Sequence, residues 1–214
     1  MMKIVDLSHL ICNDMPVYSE SESPELQPIC ALGEDGYRET KITLYSHTGT
    51  HIDAPGHMLN KGIYLDHIGI EYFIGRATIL DFSNGKNSLI NPNEIVPYQD
   101  RISKVDFVII KTLWSKYWGK NNYYQNYPCL SLASVRLLAN YKLKGVGIDT
   151  ISLDPPDTVH FYAHKILLSN NILIIENLTN LELIKSDFFT FFALPLKIKD
   201  SDGSPVRAIA IENL

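Results

Sequence analysis

Short runs of β-branched and aliphatic residues recur along the whole chain and alternate with polar, turn-forming segments. Runs of four to eight such residues, bounded by Gly, Pro, Asn or Asp, are typical of β-strands. The runs in this chain are KIVDLS from residue 3, ETKITLYS from 39, RATILDFS from 76, VDFVIIKT from 105, GVGIDTIS from 145, ILIIEN from 172, FFALPLKI from 191 and VRAIAIE from 206. The pattern predicts a domain in which strands outnumber helices.

Two segments between these runs have helical patterns instead. In SLASVRLLANYKL, apolar residues recur at helical spacing after Ser131, which is a candidate N-cap. In DTVHFYAHKILLSN, Asp157 follows two prolines, and the pattern predicts a helix that begins near residue 158. Helices interleaved with strands favour an α/β or α+β layered domain with a mixed sheet.

Length and composition fit one folded unit. The chain has 214 residues, and 45% of them are hydrophobic, which is ample for a core. No internal repeat, low-complexity tract or linker-like change in composition divides the sequence. We therefore predict a single domain over residues 1–214.

The distribution of charge and apolar residues argues against nucleic acid and membrane as partners. The chain has 19 Lys and Arg against 24 Asp and Glu, a formal net charge of -5, and its basic residues are scattered. No apolar run approaches the roughly 20 residues that span a bilayer, and the first residues lack a signal-peptide pattern. Cys12, Cys30 and Cys129 are far apart and suggest reduced thiols. We expect a cytoplasmic protein.

Residues 46–57, SHTGTHIDAPGH, have the highest density of possible metal ligands in the chain. His47, His51, Asp53 and His57 all fall at odd positions, so an extended backbone would direct their side chains to one face. A straight strand, however, places Cα atoms four residues apart at about 13 Å, too far for two histidines to share an ion. The strand must therefore bend if these residues form one site.

The same stretch contains residues that can produce the bend. Gly49 can adopt a conformation closed to other residues, and Pro55 followed by Gly56 is typical of a turn. Imidazole and carboxylate without thiolate form a ligand set for Zn²⁺, Mn²⁺ or Fe²⁺, usually in catalytic sites. We interpret the stretch as a metal site; the alternative is a surface loop whose polar groups only bond to one another.

Further ligands are expected from other parts of the chain. His160 and His164 are four residues apart in the second predicted helix, and Glu176 ends the apolar run ILIIE. The pattern leaves open whether Glu176 reaches water at a strand end or is a buried acid with a partner. His9 and His67 have no context that distinguishes them from structural histidines.

The motif H-x-G-T-H-x-D-x-P-x-H resembles that of the cyclase-like metal-dependent hydrolases, the family that includes bacterial kynurenine formamidase and isatin hydrolase. Five further blocks resemble family segments in family order. They are DLSHLI with MPVY, TLWSKYWG with PCLSLAS, GVGIDTISLDPP, HKILLSNNILIIEN and ALPLKIKDSDGSPVRAIAIE. The resemblance therefore extends over nearly the whole chain.

The resemblance implies a swivelling β/β/α fold, two divalent ions per chain and assembly as a homodimer or homotetramer. It implies that His47, His51 and Asp53 bind one ion and that His164 binds the second. Asp53 and Glu176 are implied to bridge or contact both ions. Zn²⁺ is the expected metal and Mn²⁺ is the alternative, since availability often decides between them.

The resemblance also implies roles in catalysis and substrate binding. His57 matches the last histidine of the motif, which is the acid/base of the formamidases rather than a ligand. Tyr18 stands where those enzymes have a tryptophan that stacks on an aromatic substrate, so we expect Tyr18 to bind substrate. Four further aromatic residues would either line a pocket or pack in the core: Tyr45, Tyr64, Trp114 and Trp118.

The sequence thus predicts a metal-dependent hydrolase that cleaves a small amide, formamide or lactam by means of a metal-bound hydroxide and a histidine acid/base. An arylformamidase that converts N-formylkynurenine to kynurenine is one form of this activity. Two alternatives remain. One is a cyclase or dehydratase that uses the same metal site, and the other is a non-catalytic binding protein on this fold.

Overall fold

The structure is a computed structural model that describes residues 2–85 and 88–213. Met1, Lys86, Asn87 and Leu214, which belong to the predicted domain, lie outside the described residues. The described strands are β1 (Lys3–Asp6), β2 (Glu25–Cys30), β3 (Glu39–Thr43), β4 (His51–Asp53), β5 (Ile74–Asp81), β6 (Leu89–Ile90), β7 (Phe107–Lys111), β8 (Cys129–Leu130), β9 (Gly145–Ile148), β10 (Leu173–Glu176), β11 (Phe189–Phe192), β12 (Gly203–Pro205) and β13 (Ile209–Glu212). The described α-helices are α1 (Leu32–Asp35), α2 (Pro92–Ile95), α3 (Gln99–Ile102), α4 (Leu132–Ala139) and α5 (Tyr162–Ser169).

A nine-stranded mixed sheet organises the fold, in the order β1–β13–β11–β5–β7–β9–β10–β4–β12. The central strands β5, β7, β9 and β10 run parallel to their neighbours in that group, whereas the outer strands pair antiparallel. Parallel strands are normally covered on both faces, which explains why these four read as continuous apolar runs. The mixed sheet confirms the predicted α/β class.

The central strands separate two hydrophobic cores. Along β7, Phe107 and Ile109 belong to one core, while Val108 and Ile110 belong to the other, because successive strand residues point to opposite faces. All four side chains are fully buried, and burying each contributes about 1.5–3 kcal/mol. Helices α4 and α5 cover the second core. At eight residues each they are the longest helices described, and no described helix could cross a membrane.

Helix α4 begins as the sequence predicts. Ser131 is its N-cap, and the Ser131 hydroxyl accepts a hydrogen bond from the backbone N–H of Ser134 at 3.2 Å. This bond satisfies one of the backbone N–H groups that a helix leaves unpaired at its start.

Helix α5 begins at Tyr162, so the predicted start near residue 158 is wrong. The cap comes from farther upstream than the sequence pattern suggests. The Asp154 carboxylate accepts hydrogen bonds from the backbone N–H groups of Ala163, at 2.8 Å, and His164, at 3.1 Å. His160 therefore precedes the helix, and the predicted pairing of His160 with His164 on one helical face is also wrong.

Strands β2 and β3 form a separate hairpin outside the large sheet. The strand predicted from residue 39 is present as β3, but β2 was not predicted. Pro28 lies within β2 and cannot donate a hydrogen bond to a neighbouring strand, so the run did not look like a strand. The pairing shifts register between Pro28 and Cys30. Most residues of both strands are exposed.

The position of β4 in the sheet determines where the possible metal ligands of residues 46–57 lie. β4 lies between β10 and β12 and pairs antiparallel with both. Its register with β10 places Glu176 opposite His51, and its register with β12 places Gly203 opposite Asp53. Directly opposed residues have neighbouring side chains, so pairing alone brings a distant glutamate beside the motif.

Candidate metal centre

The backbone of residues 46–57 bends as the sequence predicts. Gly49 has φ +65°, a left-handed conformation that glycine adopts without strain. Only His51–Asp53 form a strand, and Pro55–His57 form a single 3-10 turn. The extended part is therefore short, and the chain turns on both sides of it.

Two carboxylates face two histidines in an alternating arrangement. Asp53 Oδ1 lies 3.3 Å from His51 Nε2, and Asp53 Oδ2 lies 3.5 Å from His164 Nε2. Glu176 repeats the pattern, with Oε2 at 3.6 Å from His51 Nε2 and Oε1 at 3.4 Å from His164 Nε2. Each carboxylate thus presents one oxygen to each histidine.

These separations are longer than most hydrogen bonds, which are about 2.7–3.2 Å between heavy atoms. They match the spacing of ligands around an ion, because tetrahedral ligand bonds of about 2.1 Å place neighbouring ligand atoms about 3.4 Å apart. The ligand-type atoms of His47, His51 and Asp53 also lie within 4.8 Å of one another. The donor set therefore fits a divalent metal.

His51 and His164 each have a second ring nitrogen, which points away from the carboxylates. Each of these nitrogens has a hydrogen-bond acceptor. His51 Nδ1 is 2.8 Å from the carbonyl oxygen of Gly49, and His164 Nδ1 is 2.6 Å from Asp154 Oδ2. Such bonds fix the ring and its tautomer and leave the other nitrogen for a metal, as is usual around bound ions.

The burial of Asp53 requires a compensating positive charge. Its side chain is almost wholly buried, and within the described residues Oδ2 of Asp53 has no hydrogen-bond partner. An ionised carboxylate in such a place is costly unless it is paired or coordinates a metal. The unpartnered oxygen faces His164 Nε2 across 3.5 Å, where an ion would satisfy both groups.

The pKa shifts of Asp53 and His164 indicate how the site balances charge. Burial by itself raises the pKa of Asp53, but His51 and His47 outweigh burial and hold that pKa well below its usual range. Burial likewise lowers the pKa of His164, but Glu176 and nearby aspartates raise that pKa well above its usual value. Protons on histidines therefore offset the carboxylates, and a bound metal would replace those protons.

Asp202 joins two histidines of the motif. Its Oδ2 lies 3.0 Å from His47 Nε2 and 3.1 Å from His57 Nδ1. Hydrogen bonds with His47 and His57 hold the pKa of Asp202 well below its usual range. Burial lowers the pKa of His47, but Asp53 and Asp202 outweigh burial and raise it to about 10.

Gly203 provides the space that the His47 ring occupies. A Cβ atom at position 203 would lie 2.5 Å from His47 Cε1, closer than Cβ atoms approach other groups. A side chain at this position would therefore displace the ring.

His57 lies beside the predicted ligands. Its ring centroid is 4.0 Å from that of His47 and 6.0 Å from that of His164. Ligand-type atoms of Asp53, His57 and His164 also fall within 4.8 Å of one another. The geometry thus admits an acid/base role for His57 and also a role as a ligand.

A cavity of about 300 Å³ opens onto these groups. Tyr18, Tyr45, Met58 and Phe161 contribute apolar and aromatic surface to it. Tyr18, which the sequence predicts to bind substrate, is 62% exposed. The cavity thus combines a polar floor with an apolar wall.

The remaining aromatic and histidine candidates lie elsewhere. Trp118 stacks on His9 with ring centroids 3.8 Å apart, and Trp114 packs in the same small cluster. His67 contacts Asp66 at 3.5 Å. None of these residues lines the cavity described above, nor does His160.

Sequence reasoning missed Asp154 and Asp202. Asp154 holds His164 and the start of its helix, whereas Asp202 is 145 residues from His57 and 155 from His47. The turn-like sequence around Asp202 signals a bend before a strand, but it carries no information about which histidine lies nearby.

Comparison with known proteins extends over almost the whole chain. Residues 5–155 match the family model described as "Putative cyclase". A kynurenine formamidase of Bacillus anthracis is 30% identical over 208 residues, which are 97% of this chain and 96% of that protein. Isatin hydrolase A from Labrenzia aggregata, solved with benzyl benzoate, superposes with a TM-score of 0.87 at 26% identity, over 100% of this chain and 94% of that one. A structure described as a potential metal-dependent hydrolase with cyclase activity superposes with a TM-score of 0.85 at 28% identity, over 100% of both chains.

Replacing either central carboxylate is expected to release metal. Asp53→Asn and Glu176→Gln keep side-chain size but remove the charge that offsets an ion, so metal affinity should fall at least about 10-fold. Elemental analysis of protein purified without chelator or histidine tag measures this. His160→Ala is the matched control, and it should retain wild-type metal content. Full metal content in both carboxylate variants would contradict the assignment.

Proposed function

The chain belongs to the cyclase family of metal-dependent hydrolases, and on this premise we propose that it hydrolyses a small amide, formamide or lactam. At the level of the family, the kynurenine formamidase and isatin hydrolase relatives support metal-dependent hydrolysis of amide bonds. The observation that carries the proposal is the alternation of Asp53 and Glu176 oxygens between His51 and His164. We propose that these residues, with His47, hold two divalent ions, Zn²⁺ or Mn²⁺.

The bound metal would lower the pKa of water to near neutrality and polarise the substrate carbonyl. In the net reaction, oxygen from water bonds to the carbonyl carbon, the C–N bond breaks and the departing nitrogen takes up a proton. We assign delivery of that proton to His57. Its Nδ1 is engaged by Asp202, and within the described residues no hydrogen bond occupies its Nε2. An imidazole with one fixed and one free nitrogen suits proton transfer.

The apolar wall of the cavity favours a substrate with an aromatic or apolar body. Tyr18 and Tyr45 could stack on a flat ring, and Met58 and Phe161 add apolar surface. A cavity of about 300 Å³ suits a small molecule. N-formylkynurenine and isatin combine an aromatic ring with the scissile bond type, so we propose substrates of this class.

The exposed hairpin of β2 and β3 supports a further proposal, that the chain assembles as a homodimer or homotetramer. An isolated two-stranded hairpin is marginally stable in water. Here Ile29, Tyr37 and Ile42 are 52%, 54% and 60% exposed on or beside it. A second copy of the chain would cover these side chains.

Ile42→Glu is expected to weaken such assembly, because a charge would be buried where an apolar side chain now projects. Sedimentation equilibrium should show a dimer or tetramer for the wild type and a smaller species for the variant. Lys41→Glu, on the adjoining exposed position, is the control, because it adds even more negative charge without removing an apolar side chain. A monomeric wild type would refute the proposal.

A substrate panel tests the proposed activity directly. Metal-loaded protein is expected to hydrolyse N-formylkynurenine, formanilide or isatin, with release of the corresponding amine or ring-opened acid measured by chromatography. Asp53→Asn should abolish this turnover. Products that have lost water or closed a ring would instead support the cyclase or dehydratase, and metal binding without any turnover would support a non-catalytic protein.

His57→Ala distinguishes an acid/base from a ligand. Removing proton transfer should lower kcat by about 100-fold or more while metal content stays near that of the wild type. Both quantities are measured on the same preparation, with the exposed His67→Ala as control. Loss of metal in His57→Ala would show that His57 binds an ion together with Asp53 and His164.

A further inference from the structure

We propose that Asp202 is a positioning residue that orients His57 for proton transfer and couples it to the metal ligand His47. The inference rests on the proposed hydrolase function, because it assigns a partner to the acid/base of that reaction. A single oxygen, Oδ2 of Asp202, lies 3.0 Å from His47 Nε2 and 3.1 Å from His57 Nδ1. One carboxylate therefore contacts both the metal centre and the group that moves the proton.

The contact determines which nitrogen of His57 is available. A carboxylate can only accept hydrogen bonds, so the nitrogen facing it must carry the proton. Nδ1 of His57 is then the donor, and Nε2 is the nitrogen that exchanges a proton with substrate. When Nε2 takes up a proton, the adjacent negative charge stabilises the imidazolium, as in other His–Asp pairs.

The backbone holds Asp202 in this position independently of its side chain. The carbonyl oxygen of Asp202 accepts a hydrogen bond from the N–H of Ala54 at 2.9 Å, and that of Ser201 accepts one from Leu65 at 3.0 Å. The next residue, Gly203, starts β12 and pairs with Asp53. The backbone of Asp202 is thus anchored to the strand that carries the ligands. The position of its carboxylate is therefore fixed by paired backbone.

Asp154 shows what a purely supporting aspartate looks like in this protein. It lies 2.6 Å from Nδ1 of His164 and also caps helix α5. Its contacts are with a ligand histidine and the backbone, and none is with His57. Asp202 differs in contacting His57 as well as a ligand. We therefore expect different consequences when the charge of Asp154 or of Asp202 is removed.

The kinetic test uses the metal-loaded full chain and formanilides with leaving groups of different basicity. A basic aniline must be protonated to leave, whereas para-nitroaniline leaves with less assistance. Asp202→Asn should lower kcat for para-methoxyformanilide about 10- to 100-fold, with little change in KM. The loss for para-nitroformanilide should be roughly 10-fold smaller, and His57→Ala should show the same leaving-group dependence.

Two matched variants separate this role from others. Asp154→Asn should lower metal content and reduce turnover of all formanilides by a similar factor. Asp200→Asn removes the same charge two positions away, where the side chain is 56% exposed, and should behave as wild type. If Asp202→Asn shows uniform loss of turnover and lost metal, as Asp154→Asn does, Asp202 only supports His47 and the proposal fails.

A spectroscopic measurement tests the contact without relying on turnover. In ¹⁵N spectra of histidine side chains at a pH where His57 is neutral, the wild type should carry the His57 proton on Nδ1. Asp202→Ala should move that proton toward Nε2, with His57→Ala identifying the resonances. An unchanged His57 tautomer in Asp202→Ala overturns the proposal. No turnover of any formanilide, of N-formylkynurenine or of isatin by the metal-loaded wild type would refute the hydrolase function instead, and the spectra would still decide the positioning role.

Discussion

The structure depends on placing two negative charges, those of Asp53 and Glu176, at buried positions. Asp53 and Glu176 are buried side by side at the junction of three strands, and their oxygens face histidine nitrogens at 3.3–3.6 Å. Two buried carboxylates so arranged repel one another unless cations separate them. Histidine protons can supply that charge, and a divalent metal supplies it more compactly. A metal bound at this position would therefore also stabilise the folded state of this region.

Sheet topology meets this requirement by pairing distant segments. β4 contributes His51 and Asp53, and antiparallel pairing with β10 brings Glu176 to the same position. Pairing with β12 supplies the glycine that leaves space for His47 and, one residue earlier, Asp202. The parallel strands behind β10 are buried on both faces, so they form a rigid base for these edge elements.

The cavity has two chemically different parts. Its floor is a charged, hydrogen-bonded group of histidines and carboxylates, in which outer partners such as Asp154 fix the orientation of each ring. Its wall is apolar and aromatic and belongs to loops, including Tyr18 and Phe161. Loops tolerate sequence change better than paired strands, which is consistent with relatives that include both kynurenine formamidases and isatin hydrolases.

The sequence alone determined the strand-rich α/β class, the cap at Ser131 and the bend around Gly49, because periodicity, capping and glycine conformation are local properties. It also indicated the residue types of a metal site, since four polar groups in SHTGTHIDAPGH exceed what a turn requires. Tertiary structure decided what surrounds them. Helix α5 begins later than the sequence predicts because Asp154 caps it. Asp202 contacts His57 although 145 residues separate them in the sequence. Such contacts arise from strand register and chain reversal, which no local pattern encodes.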